Sequence, residues 1–154
     1  MAYSEEHDRT ARAGLERALA AGAEILEKRE RAIDAAEAAV RVLEEDSCFN
    51  AGRGSVLTAT GCIELDAAIM DGSDRAAGAV AGLRTTRAPI SLARLILNEG
   101  QHVFLSGKGA DGFARDHGLE QVDNSWFEVP ERRRQLEVLL AEDGFDDEIK
   151  YGTV

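Results

Sequence analysis

Phe49-Asn50-Ala51-Gly52-Arg53-Gly54, followed shortly by Glu64-Leu65-Asp66-Ala67-Ala68-Ile69-Met70-Asp71-Gly72, is the stretch that decides how this chain folds. Glycines there alternate with single polar groups, where a plain core would show apolar runs. Glycine lacks a Cβ, so the backbone of such a segment can approach an ion, a ligand or another strand closely. Thr60-Gly61, between Ser55-Val56-Leu57-Thr58 and Cys62-Ile63-Glu64-Leu65, predicts a tight hairpin. Ala67-Ala68-Ile69-Met70 running into Asp71-Gly72 predicts a further strand and turn.

Upstream, apolar residues recur at helical spacing from Ser4 to Lys28: Leu15, Ala18, Leu19, Gly22, Ile25 and Leu26. A second amphipathic helix carries Ile33, Ala36, Ala39, Val40 and Leu43, and should stop near Glu45 or Asp46. Downstream, the small-residue run from Ala76 to Leu83 suits a buried strand covered closely on both faces. Pro89 marks the start of a helix reaching Glu99, His102 to Leu105 reads as a strand, and Ala110 to Asp116 as a short helix closed by Gly118. A turn at Asn124 to Phe127 and a helix from Glu131 to Leu140 follow, and the tail from Glu142 to Lys150 is acidic and weakly patterned. Helices flanking a hairpin-rich sheet imply a layered α/β or α+β architecture.

The bulk properties exclude several classes. At 154 residues the chain is the size of one domain, with 44% hydrophobic and 31% charged residues. A net charge of −11 argues against nucleic acid and anionic membrane surfaces as partners. No apolar run approaches the roughly 20 residues that cross a bilayer. Met1-Ala2-Tyr3-Ser4-Glu5-Glu6 has neither the basic nor the apolar region of a signal peptide. Two cysteines, Cys48 and Cys62, make no zinc site and no disulfide framework, so the expectation is a cytoplasmic protein with reduced thiols.

Gly107-Lys108-Gly109-Ala110-Asp111-Gly112 matches the dinucleotide fingerprint between a strand and a helix. It comes late in the chain, however, and Lys108 and Asp111 sit where a pyrophosphate would meet the helix, which favours a structural turn. His7, His102 and His117 share no ligand spacing, and Arg132-Arg133-Arg134 reads as a solvated helix face. Glu64, Asp66 and Asp71 are carboxylates near the glycine segment, open to either buried hydrogen bonding or acid–base work. Thr153 follows Gly152 at the far end. A threonine freed at an N-terminus acquires an α-amine with a pKa of roughly 7.7–8.0, able to take its own hydroxyl proton.

These blocks, in this order, resemble the plant-type asparaginase and isoaspartyl peptidase family. The likeness runs from Leu43-Glu44-Glu45 through Phe49 to Gly54, Glu64 to Ala67, Met70-Asp71-Gly72 and Ala77 to Gly82. Pro89, Ala93-Arg94, His102-Val103, Gly107 to Ala110 and Gly152-Thr153-Val154 continue it. The resemblance implies part of the four-layer αββα sandwich of N-terminal nucleophile hydrolases, lacking the family's opening His-Gly-Gly-Ala-Gly strand and its β half. Residues 1–141 would be the α-subunit portion, 142–152 a flexible acidic linker, and 153–154 the first residues of the β subunit. It further implies self-cleavage at Gly152-Thr153, Thr153 as nucleophile, and Asn50 beside it. The substrates would be L-asparagine and β-aspartyl peptides, with no cofactor for catalysis. The family's structural sodium ion would rest on the backbone carbonyls of Leu43, Glu44, Asp46, Phe49, Ala51 and Arg53, although Asp46-Ser47 replaces the usual Cys-Pro. The expected partner is the β-subunit portion, in a dimer of αβ pairs. Against this stand a non-catalytic, partner-binding relative of the same fold and a nucleotide-binding module on Gly107 to Gly112.

Overall fold

Residues 5–141 are described by a computed structural model. In chain order they form α1 (Glu5–Glu27), α2 (Ala32–Glu45), β1 (Leu65–Met70), β2 (Ala77–Leu83) and α3 (Pro89–Glu99). β3 (Phe104–Ser106), α4 (Gly107–Asp116), a 3-10 turn (Asn124–Trp126) and α5 (Pro130–Ala141) follow. The expectations placed on the linker 142–152, on Gly152 and on Thr153 fall outside the described residues. Among the described residues no helix is long and apolar enough to cross a membrane.

α1 packs on α2 through small residues. Gly14, Ala18 and Gly22 are its buried positions, and a Cβ on Gly22 would stand 3.2 Å from the Ala35 carbonyl oxygen. The sequence pattern had put Leu15, Leu19 and Leu26 on the inner face, but all three are more than half exposed. Close approach of two helices selects the line of small side chains over the line of large ones.

The sheet has the order β1-β2-β3, antiparallel then parallel. Ile69, Val80 and Leu83 meet Ile90, Leu92, Ala93 and Ile96 of α3 in the core, which Phe127 joins fully buried. α3 starts where proline can, at its first position, and ends on Gly100 in the left-handed conformation. It covers one face of the sheet only. Ala77, Ala79 and Ala81 of β2 are partly exposed on the other, so the expected two-sided cover of this strand is absent among the described residues.

The hairpin is also corrected. Its turn is present, with the Gly61 amide donating to Thr58 O at 2.8 Å and the Thr58 amide to Cys62 O at 2.7 Å. Residues 55–58 and 62–64 nevertheless form no strands. The side chain of Asn124 takes both backbone groups of Ile63, accepting at 3.0 Å and donating at 2.9 Å, where a strand partner would have bonded. The sheet therefore starts one step later, at Leu65. α4 in turn starts earlier than expected: its first residue is Gly107, so the G-x-G-x-x-G motif is the helix's opening turns.

Candidate functional site

The segment from Glu44 to Gly54 coils back on the end of α2. The Arg53 amide donates to Glu44 O at 2.7 Å, and the Gly54 amide reaches across to Phe127 O at 2.8 Å. Glycine is required twice. Gly52 and Gly54 have φ of +54° and +93°, and a Cβ on either would lie 2.4 Å from a carbonyl oxygen, of Glu44 and Ser47 respectively. Arg132 clasps the same coil, its Nε donating to Gly54 O at 2.8 Å. Arg133 bonds Glu128 at 2.5 Å and Gly61 O at 3.3 Å. Of the arginine triplet only Arg134, paired with Glu131, behaves as the solvated face that the sequence suggested.

This coil forms one wall of a cleft of about 340 Å³; the end of α2, the start of α3 and β1 form the rest. Asn50 lies on its rim, with Oδ1 accepting the Val56 amide at 2.9 Å and the side chain exposed. Glu64 and Asp66 also line it, but both carboxylates are engaged. Glu64 pairs with Arg84, and Asp66 accepts the Gly82 amide at 2.8 Å, opposite the register shift between β1 and β2. Asp71 lies elsewhere, pairing with Arg31 and holding the Ser73 amide (2.9 Å) and hydroxyl (2.7 Å). The Ser73 bonds, ahead of Arg31, hold its carboxyl below the usual range.

Glu44, named from the sequence only for its backbone carbonyl, brings its side chain to the centre of the site. It is 4% exposed; Oε1 accepts the Ile90 amide at 2.8 Å at the start of α3, and Oε2 is buried without a hydrogen-bond partner. Burial pushes its carboxyl up to about 7, against the pull of the Ile90 amide. Ala88, the residue before α3, makes no side-chain cap, so Glu44 supplies a cap from a distant helix. No short-range pattern marks this. The only signal is an acidic residue on the apolar side of α2.

The carbonyls expected to hold sodium belong to this coil. Leu43 O accepts the Asp46 amide (3.3 Å), Glu44 O that of Arg53, and Asp46 O that of Phe49 (3.2 Å). Three of the six expected ligands thus already accept a backbone amide, and each carbonyl oxygen keeps a second lone pair of the kind a hard cation takes. The Asp46 carboxylate is used otherwise, by Arg17 at 2.5 Å and the Cys48 amide at 3.0 Å.

The glycine motif of α4 turns its acid inward. Asp111 is 7% exposed and accepts the amides of Arg84 (3.0 Å), Thr85 (3.2 Å) and Thr86 (3.0 Å) and the Thr86 hydroxyl (2.8 Å). His117 stacks on Phe113 at 4.0 Å between centroids, and His102 meets the same ring edge-on at 6.3 Å. Among the described residues no three His, Cys, Asp or Glu side chains form a group able to hold a metal. Cys48 and Cys62 are free thiols.

The chain matches the model of the family described as asparaginase over residues 1–153. It belongs to that family of hydrolases, whose fold is that of the N-terminal nucleophile hydrolases. It is 46% identical over 133 residues to the isoaspartyl peptidase/L-asparaginase of Mus musculus, an alignment covering 86% of this chain and 41% of the mouse protein. A probable isoaspartyl peptidase/L-asparaginase 2 of Arabidopsis thaliana is 46% identical over 122 residues, covering 79% and 38%. The plant-type L-asparaginase of Pyrococcus furiosus is 49% identical over 112 residues, covering 73% and 36%. The chain thus spans about two fifths of the length of these curated relatives.

Proposed function

We propose that this chain is the α-subunit portion of an amidohydrolase that acts on L-asparagine and β-aspartyl peptides once joined to a β portion. The observation that carries the reading is the family match through residue 153, which takes in Gly152-Thr153. Cleavage of that bond frees the Thr153 amine, which accepts the proton as Oγ attacks the side-chain amide carbon. The C–N bond breaks, ammonia (or the peptide amine) leaves with the proton, and water hydrolyses the resulting ester to aspartate. Asn50, held by the Val56 amide on the cleft rim, would orient the nucleophile. The oxyanion donors would come from the β portion, so the α portion alone would be inactive. An assembly of two αβ pairs and a cytoplasmic location belong to the same proposal.

A protein extending through the β portion should split at Gly152-Thr153 and release ammonia from asparagine. Thr153→Ala should stay uncut and lose at least about 10³-fold in turnover. Turnover unchanged in Thr153→Ala removes the nucleophile assignment. An uncut, inert wild type that still binds its partner favours the non-catalytic relative.

The coil from Glu44 to Gly54 would hold sodium through the carbonyls of Leu43, Glu44, Asp46, Phe49, Ala51 and Arg53. The chain's midpoint of thermal unfolding should then rise in sodium chloride relative to choline chloride at equal ionic strength, because an ion bound only by the folded state stabilises it. Equal midpoints in the two salts discard the ion.

A further inference from the structure

We propose that the Glu44 side chain is a positioning residue: by tying the start of α3 to the coil, it fixes Asn50 on the cleft rim. This role rests on the reading of the chain as an amidohydrolase portion in which Asn50 orients the nucleophile. Glu44 bonds in two directions. Its carbonyl oxygen accepts the Arg53 amide at 2.7 Å, which closes the coil on the end of α2, and its Oε1 accepts the Ile90 amide at 2.8 Å. Asn50 lies inside the loop so closed. Gly52 brings the two sides into contact, since a Cβ there would stand 2.9 Å from both Cα and Cβ of Glu44. The coil therefore rests on the stem of that side chain. Glu44, Asn50, Gly52 and Ile90 all line the one cleft.

A cap alone does not call for this acid. Ala88, which precedes α3, makes no side-chain cap, although a serine, threonine, aspartate or asparagine there is the ordinary solution. The cap comes instead from 46 residues away, on a side chain whose Oε2 is buried with no hydrogen-bond partner. An unmade buried acceptor is destabilising, and a local cap would avoid it. What the distant cap adds is the link itself: α3 and the coil cannot shift independently while one residue bonds both. The Arg87–Glu45 pair ties the same two elements, but it lies at the surface, where solvent weakens it. Asn50 depends on the link because its Oδ1 accepts the Val56 amide at 2.9 Å, a bond that a shifted coil breaks. A displacement of about 1 Å at a group that orients a nucleophile is enough to lower a rate by about 10²-fold.

Amide-resolved hydrogen exchange and kinetics on the protein extended through its β portion test this. Glu44→Asp shortens the arm by one methylene and withdraws the carboxylate from the Ile90 amide, whereas Glu44→Gln keeps an acceptor at Oε1. In Glu44→Asp the Ile90 and Val56 amides should both exchange at least about tenfold faster, and Glu44→Gln should restore protection to both. Faster exchange at Ile90 alone makes Glu44 a cap and nothing more, which overturns the proposal. In Glu44→Asp kcat should fall about 30-fold with KM within about threefold, because Asn50 acts on the nucleophile and not on the substrate. Glu44→Gln should recover at least about tenfold of that loss. A loss confined to KM overturns the proposal. On an Asn50→Ala background, Glu44→Asp should lower kcat by less than about threefold more, and a full further loss there also overturns it. If the wild type is inert, paired exchange of Ile90 and Val56 upholds the link while the amidohydrolase reading falls; unpaired exchange removes both. If Glu44→Asp does not fold, the wild type in low urea decides: Ile90 and Val56 should share one opening rate, and Val56 opening well before Ile90 overturns the proposal.

Discussion

Gly78→Ala is expected to cost at least about 3 kcal/mol of folding free energy, the upper end of what overpacking a core costs, and Gly78→Val to leave no folded chain. The added Cβ would stand 2.0 Å from the Ala93 carbonyl oxygen and 2.7 Å from the Leu97 amide nitrogen, both backbone atoms of α3. No rotamer change relieves such a contact; α3 itself must move away from β2. That movement would open the core at Val80, Ala93 and Ile96, each no more than 2% exposed. Marginal stability of roughly 5–15 kcal/mol leaves little room for it. Gly109→Ala is the control, since a Cβ there meets nothing within 4 Å and its φ is not left-handed. It should stabilise the chain by about 0.5 kcal/mol through a less disordered unfolded state. Urea denaturation of the three proteins checks the contrast. Equal midpoints for Gly78→Ala and Gly109→Ala would mean that α3 does not lie on β2 as described.

The helices were legible because their cause is local. Pro89 at a first turn, Gly100 past a last one and apolar residues at helical spacing act within a few residues of each other. What escaped was set by partners far along the chain. Residues 55–58 and 62–64 have strand-like composition, yet Asn124, 61 positions away, occupies the Ile63 backbone and stops the ladder. Leu15 and Leu19 read as core because they are large, whereas close approach selected the small residues beside them, Gly22 against α2 and Gly14 against Asp46 and Phe49 of the coil. Within the site, Gly52 and Gly54 could be picked out since glycine betrays close backbone approach, whereas Asn50 was named only through the family resemblance. Glu44 could not, because its carboxylate caps a helix 46 residues away. Arg132 was hidden inside a charge run that also contains a solvated arginine.

Asp111→Ala should destabilise the chain by about 3–5 kcal/mol, the usual result of removing one partner of a buried charged network. The loss would leave the amides of Arg84, Thr85 and Thr86 and the Thr86 hydroxyl without their acceptor. Thr86 is fully buried, so water cannot substitute without opening the turn from β2 to α3. Asp111→Asn is the informative companion. Oδ1 receives three of the four bonds and survives in asparagine, while the Arg84 amide would face an NH₂ group instead of Oδ2. That variant should lose about 1–2 kcal/mol, near one unmade hydrogen bond. The acid limb separates charge from shape. Burial alone would raise the Asp111 carboxyl, but the Arg84 amide, the Thr86 hydroxyl and the Thr85 and Thr86 amides together bring it below its ordinary value. A group depressed in the folded state contributes its full stability above its unfolded pKa of about 3.9, and that contribution drains away as pH falls through the lower folded value. Wild type should therefore lose more stability than Asp111→Asn between about pH 5 and pH 2, and the two curves should converge at the acid end. Parallel curves would mean that the carbonyl geometry, and not the ionised carboxylate, holds the turn on which α3 and the cleft depend.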